Sequence, residues 1–182
     1  MKPLSRKDYL LLKRFFEHQP HRLSAYSLPS IIAWNGECFE SYYEIVHDEV
    51  IVVTKNRKDN DDKKYMILPV SGHGRPTPAR LKELSMATGC GRICFVPGDY
   101  LQEVGAGALD PYYEITGQQE YEDYLYRTQD IIELKGNRYS KKRNLIHQFA
   151  REYIHRNRVT TGRITGKDVS QCIDFLEKWC DL

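Results

Sequence analysis

Two stretches of the chain, Phe39–His47 and Val50–Lys55, are crowded with aromatic and β-branched residues and are separated by Asp48-Glu49. Such side chains fit a pleated, half-buried surface, and a short polar break between two of these runs points to a β-hairpin. Lys63–Val70 reads as a third strand after the polar run Asn56–Asp62, which predicts an antiparallel meander. A meander must be covered by helices. Ser5 and Asp8 read as a helix start, Leu11, Leu12, Phe15 and Phe16 follow at helical spacing, and Pro20 ends the run. Leu23–Trp34 is mixed, and Pro29 is expected to break any long element there.

Further on, Ser71–Pro76 reads as a loop. Thr77 is placed to cap a helix through Ala87, with Pro78 in its first position and Gly89 just past its end. Arg92–Val96 is expected as a short buried strand, Tyr100–Val104 as a helical turn and Tyr112–Ile115 as another strand. The pattern then turns helical: Thr128–Leu134 closed by Gly136, Ser140–Arg156, and Lys167–Trp179 capped by Thr165 with Asp168 three residues later. Strands alternating with helices early and helices dominating late indicate an α+β fold, an α/β layer around a mixed, mostly antiparallel sheet with a helical C-terminal segment.

The chain has 182 residues, of which 41% are hydrophobic and 29% charged, a globular composition with enough apolar mass for a real core. No apolar run approaches the ~18 residues of a membrane span, and the N-terminus carries charge but no apolar signal segment. A cytoplasmic protein is the expectation. The five cysteines, Cys38, Cys90, Cys94, Cys172 and Cys180, form no dense framework and no zinc-finger spacing. Reduced thiols and no metal are expected.

Charge is distributed unevenly. From Asp99 to Glu133 there are nine acidic residues and one basic, Arg127; from Lys135 to Lys167 there are ten basic residues and one acidic, Glu152. Such asymmetry suits an anionic partner for the basic segment. It equally suits neutralisation by the acidic segment, in particular by Glu120, Glu122 and Asp123. In Ser140–Arg156, Leu145, Ile146, Phe149, Ala150, Tyr153 and Ile154 make one apolar face, while Arg143, His147 and Arg151 recur four apart with His155 next in line. Lys141, Lys142 and Arg143 crowd the first turn, where positive charge opposes the helix dipole. A cationic helix N-terminus is suited to phosphate, because free N–H groups and cations face one place. Tyr124, Tyr126 and Tyr139 flank the basic run, as base-stacking or as packing residues.

Asp123-Tyr124-Leu125-Tyr126, then Leu134-Lys135-Gly136-Asn137-Arg138-Tyr139-Ser140-Lys141-Lys142-Arg143-Asn144, then Phe149, resembles the signature of a bacterial family of unknown function. That family is similar to the C-terminal catalytic region of phosphatidylglycerol lysyltransferase. The upstream order also fits, with Trp34, an aromatic strand pair, a strand ending in Leu-Pro, a helix and a short strand, so the resemblance spans about Leu23 to Trp179. It implies a GNAT-like fold over 1–182 with a core at about 23–156, the helix at 167–180 leading into a second GNAT-like half. It further implies kinship with Fem-type enzymes, which move an aminoacyl group from aminoacyl-tRNA to an amine or hydroxyl. This chain then corresponds to the N-terminal, substrate-binding half rather than the catalytic one.

Under that resemblance Lys135, Arg138, Lys141, Lys142 and Arg143 are phosphate contacts, Asn144 is an orienting hydrogen bonder, and Tyr139, His147 and Arg151 complete the surface. The anion is aminoacyl-tRNA or an anionic lipid headgroup, the latter placing the protein at a membrane surface or making it a non-catalytic binding module for lipid or protein. No cofactor is implied, because an aminoacyl ester is already activated. Acetyl-CoA is a rival ligand for a GNAT-like fold. Gly72-His73-Gly74 gives a short Gly-x-Gly after the third strand, but Pro69 stands where CoA-binding members carry Arg or Gln, so a plain turn is the simpler reading. There is no Gly-x-Ser-x-Gly elbow, Walker loop or His-Glu-x-x-His. His18 and His21 are close in sequence at a helix end, though Pro20 lies between them.

Overall fold

A computed structural model describes residues 1–36, 39–57, 64–117 and 119–180, with backbone only at 120 and 180. Cys38, Lys63 and most of the polar run ending at Asp62 lie outside the described residues. The chain divides into two compact units, Met1–Asp123 and Tyr124–Leu182.

The first unit is built on a sheet. In chain order its elements are β1 (Lys2–Pro3), α1 (Tyr9–Glu17), α2 (Leu28–Trp34), β2 (Phe39–Val46), β3 (Glu49–Asn56), β4 (Lys64–Met66), α3 (Pro78–Thr88), β5 (Arg92–Ile93), α4 (Gly98–Val104) and α5 (Ala106–Leu109). The five described strands lie in the order β1-β2-β3-β4-β5, antiparallel except for the parallel pair β4–β5. The fold is α+β, and the meander β2–β3–β4 is the one the apolar patterning predicts. Tyr42 pairs with Val53 and Tyr43 with Val52. Val50 to Thr54 are all buried, so β3 is covered on both faces. Tyr43 points to the α1 side, where its hydroxyl donates to Asp8 Oδ1 at 2.8 Å. Ile51 and Val53 point the other way, into a cleft shared with Leu84 and Ala87 of α3.

Local signals set most helix ends. Ser5 and Asp8 form a capping box ahead of α1, with the Asp8 carboxylate accepting from the Ser5 N–H at 2.9 Å and from its hydroxyl at 2.8 Å. The Thr77 hydroxyl accepts from Arg80 N–H at 3.2 Å, and Gly89 ends α3 in the left-handed region at φ 68°. Other expectations are corrected. Pro29 does not break the segment at Leu23–Trp34; it stands in the first turn of α2, where an absent N–H leaves no bond unmade. The strand expected at Arg92–Val96 is two residues long and half-buried rather than buried. Tyr112–Ile115 is not a strand: the Tyr112 and Tyr113 N–H groups both donate to Leu109 O, at 2.8 and 2.9 Å, and are unavailable to a ladder. The third strand shortens to Lys64–Met66, with Val70 regaining Val50 in an isolated bridge. At the far end of the unit the Asp123 carboxylate accepts from the Ser24 N–H at 2.7 Å and from its hydroxyl at 2.8 Å, joining residues 99 apart.

The second unit is helical: α6 (Thr128–Glu133), α7 (Ser140–Phe149), which continues as a π turn over Ala150–Ile154, and α8 (Val169–Cys180). Thr165 and Asp168 form the expected capping box before α8. Leu134 takes the left-handed position after α6 at φ 47°, not Gly136. The π turn closes with His155 N–H on Ala150 O at 2.9 Å. A wider turn consumes an extra residue, so His155 no longer follows Arg143, His147 and Arg151 in one row. The apolar face of α7 exists but is uncovered: Leu145, Ile146, Phe149, Tyr153 and Ile154 are all exposed, with the Phe149 and Tyr153 rings stacked 5.1 Å apart.

Strands β4 and β5 part after Met66 and Ile93, and Tyr26 fills the gap. Its hydroxyl donates to Phe95 O and accepts from Leu68 N–H, both at 3.1 Å, and the side chain is 2% exposed. His21 lies against it, with ring centroids 4.4 Å apart, 5% exposed and with Nδ1 lacking a partner. Burial, then the Arg75 guanidinium, pushes the His21 pKa below its ordinary 6.5, while Asp99 pulls the other way. Two outcomes follow. Tyr26→Phe strands the Leu68 N–H and Phe95 C=O and should cost about 1–3 kcal/mol in urea unfolding. The unfolded chain takes up a proton on His21 below pH 6.5 while the folded one resists it, so stability is full above that pH and falls as pH drops below it. Replacing His21 with Gln should flatten that decline between pH 7 and 5; an unchanged slope would remove His21 as its source.

Candidate functional site

The basic run is carried by the turn between α6 and α7 and by the first turns of α7. Geometry sorts its cations into two groups. Those in and beside the turn have internal partners: Lys135 pairs with Glu133 at 2.6 Å, and Arg138 pairs with Asp130 at 2.7 Å while stacking over the Tyr139 ring at 4.7 Å. Arg143 reaches back to the end of α6, donating through Nη1 to Leu134 O and, at 2.9 Å, to Gly136 O. Further along, in the π turn, Arg151 has Glu152 at 3.5 Å.

Lys141 and Lys142 differ. Both are exposed in the first turn of α7, and neither has a hydrogen-bond or ion-pair partner among the described residues. The helix begins without a side-chain cap, since Tyr139 precedes it, and no acidic residue stands in its first turn. The first N–H groups of a helix lack intrahelical acceptors and carry the positive end of its dipole. Here a 3-10 turn over Asn137–Tyr139 runs straight into α7, with the Tyr139 N–H on Gly136 O and the Ser140 N–H on Asn137 O, so the two exposed ammonium groups are what an anion would meet. Asn144 and His147 lie exposed further along α7, and Tyr124 and Tyr126 are exposed on the segment leading to α6.

The neutralisation expected from the acidic block takes place at different residues. Asp130 and Glu133, at its end, hold Arg138 and Lys135. Asp123 is bound to Ser24, and the Glu120 side chain lies outside the described residues. Periodicity could not single out these pairs, because they span a turn rather than a helix face. Arg138 is eight residues from Asp130.

Elsewhere, the Gly72-His73-Gly74 loop has the features of a plain turn. The His73 N–H is taken by the Ser71 hydroxyl at 3.0 Å, Pro69 is fully buried, and Arg75 is tied to Asp99 and, at 2.9 Å, to Glu103. With the His73 amide occupied and no N–H at Pro69, the loop lacks the unbroken row of open amides that suits a pyrophosphate. Between α3 and the β2–β3 face lies an open cleft of about 670 Å³, whose floor is Val46, Ile51, Val53 and Leu84. Its cations are Lys64 and Arg80, the latter paired with Glu49 and Glu83 at 3.4 and 3.3 Å. Cys90, Cys94 and Cys172 are free thiols, and burial raises the pKa of the first two, which makes them poor nucleophiles. Among the described residues no group of three or more His, Cys, Asp or Glu side chains is arranged to hold a metal ion, and no helix is long and apolar enough to cross a membrane.

Comparison with known proteins agrees with the motif. The profile described as "Phosphatidylglycerol lysyltransferase, C-terminal" matches residues 21–182, nearly the whole chain. Neither the curated proteins nor the solved structures yield a match.

Proposed function

The chain belongs to the phosphatidylglycerol lysyltransferase C-terminal family, and on that premise we propose that it is an aminoacyl-tRNA-dependent aminoacyltransferase domain serving to bind substrate. The observation that carries this reading is the pair Lys141 and Lys142, exposed and without protein partners among the described residues at the uncapped start of α7. Ammonium groups at that place suit phosphate oxygens, and a tRNA presents them in a row. The exposed rings of Tyr124 and Tyr126 offer stacking surfaces on the same unit. The aminoacyl ester brings its own activation, so a binding domain of this kind needs no cofactor. On the same reading the chain is a GNAT-like lobe that works beside a second one, in the cytoplasm or at the membrane surface.

A second reading is favoured by a separate observation. The apolar side chains Leu145, Phe149 and Ile154 are exposed on the helix that carries the cations. Basic amphipathic helices of that type bind anionic lipid.

Gel shifts with tRNA at graded salt separate the readings. Binding should weaken linearly on a log–log plot against salt, and Lys141→Ala with Lys142→Ala should lower the slope by about two, one for each phosphate no longer neutralised. Affinity that is flat in salt, or untouched by the double substitution, rules out the phosphate role. Co-sedimentation with vesicles should be the same with and without acidic lipid; a strong dependence on lipid charge would favour the second reading.

A further inference from the structure

We infer that Arg143 is a positioning residue rather than a phosphate contact: it staples the end of α6 to α7 and so sets the direction of the helix turn that carries Lys141 and Lys142. The inference rests on the phosphate reading of α7 given above. Its own support lies in the turn.

Helix α6 ends at Glu133, and its last carbonyls have no intrahelical donors. Leu134 follows in the left-handed region at φ 47°, and Gly136 takes a positive φ of 90° with an extended ψ. Glycine enters that region freely and leucine does not, so something outside the turn must hold Leu134 there. Arg143 supplies it. The two hydrogens of its Nη1 serve Leu134 O and Gly136 O, the second at 2.9 Å. This guanidinium is half-buried, whereas Lys141 and Lys142 beside it are exposed. Arg138 adds a second tie, from the turn to Asp130 of α6 at 2.7 Å. The turn is pinned from both sides, and α7 leaves it in a fixed direction.

The chemistry of the site fits this division. With both Nη1 hydrogens committed to carbonyls, the guanidinium is held against the turn. Lysine could not replace it, because its single ammonium reaches less far and lacks the planar fork. Arg143 therefore supplies geometry, and the two lysines supply charge.

Backbone amide hydrogen exchange on the whole chain without RNA, together with tRNA binding at graded salt, tests the inference with Arg143→Ala and Arg143→Lys. Exchange across Leu134–Tyr139 should rise several-fold in both variants while α8 keeps its protection. The salt slope should fall by about two or more, since losing the staple disorders both lysines, against about one for a single direct phosphate contact. Exchange at the wild-type level in both variants, or lysine restoring exchange and slope alike, overturns the inference. Should the wild-type protein bind no tRNA at any salt, the phosphate reading of α7 falls, and the exchange result alone still decides whether the staple exists.

Discussion

The burial of β3 on both faces is the constraint from which the first unit follows. A strand that hides Val50, Ile51, Val52 and Val53 together needs a neighbour on each edge and a layer on each side. Strands β2 and β4 supply the edges. Helix α1 supplies one layer, with Leu12 fully buried, and α3 supplies the other through Leu81 and Leu84. Tyr26 then completes what the sheet leaves open, because β4 and β5 separate too early to pair Leu68 with Phe95. A single hydroxyl acts there as a missing piece of ladder.

The second unit follows a different rule. None of the described residues from 124 to 179 is buried, so packing does not fix its turns; polar bonds do. Capping at Thr165 and Asp168, the ion pairs of Lys135 and Arg138, and the Arg143 bonds to two carbonyls hold the local shape. The basic character of the segment is therefore only partly available to a partner. The cations around the α6–α7 turn are absorbed close by except Lys141 and Lys142, while Arg156, Arg158, Arg163 and Lys167 stay exposed further along the unit.

Where structure is dictated by neighbours in sequence, it was legible. Thr77, Pro78 and Gly89 bound α3 correctly, and Ser5 with Asp8 and Thr165 with Asp168 mark helix starts, because a cap involves residues two or three apart. The hairpin followed from composition and the polar break. The misreadings share another cause. Pro29 looks the same in a broken segment as in a first helical turn, and only position within the helix tells them apart. Tyr112 and Tyr113 have strand composition, but the preceding α5 captured their N–H groups. In the candidate site the charges were legible and their allegiances were not. The acceptors of Arg143 are backbone carbonyls, which every residue carries, so no residue type betrays them.

The clasp of Asp123 on Ser24 falls on the last residue of the first unit. It satisfies a donor at the start of the short turn that carries Tyr26, and it does so from 99 positions downstream. Anyone dissecting the molecule thus has a natural cut. A piece ending after Asp123 retains its fastening, whereas one trimmed a few positions earlier loses the carboxylate and leaves the Ser24 turn unsecured beside the aromatic plug it presents.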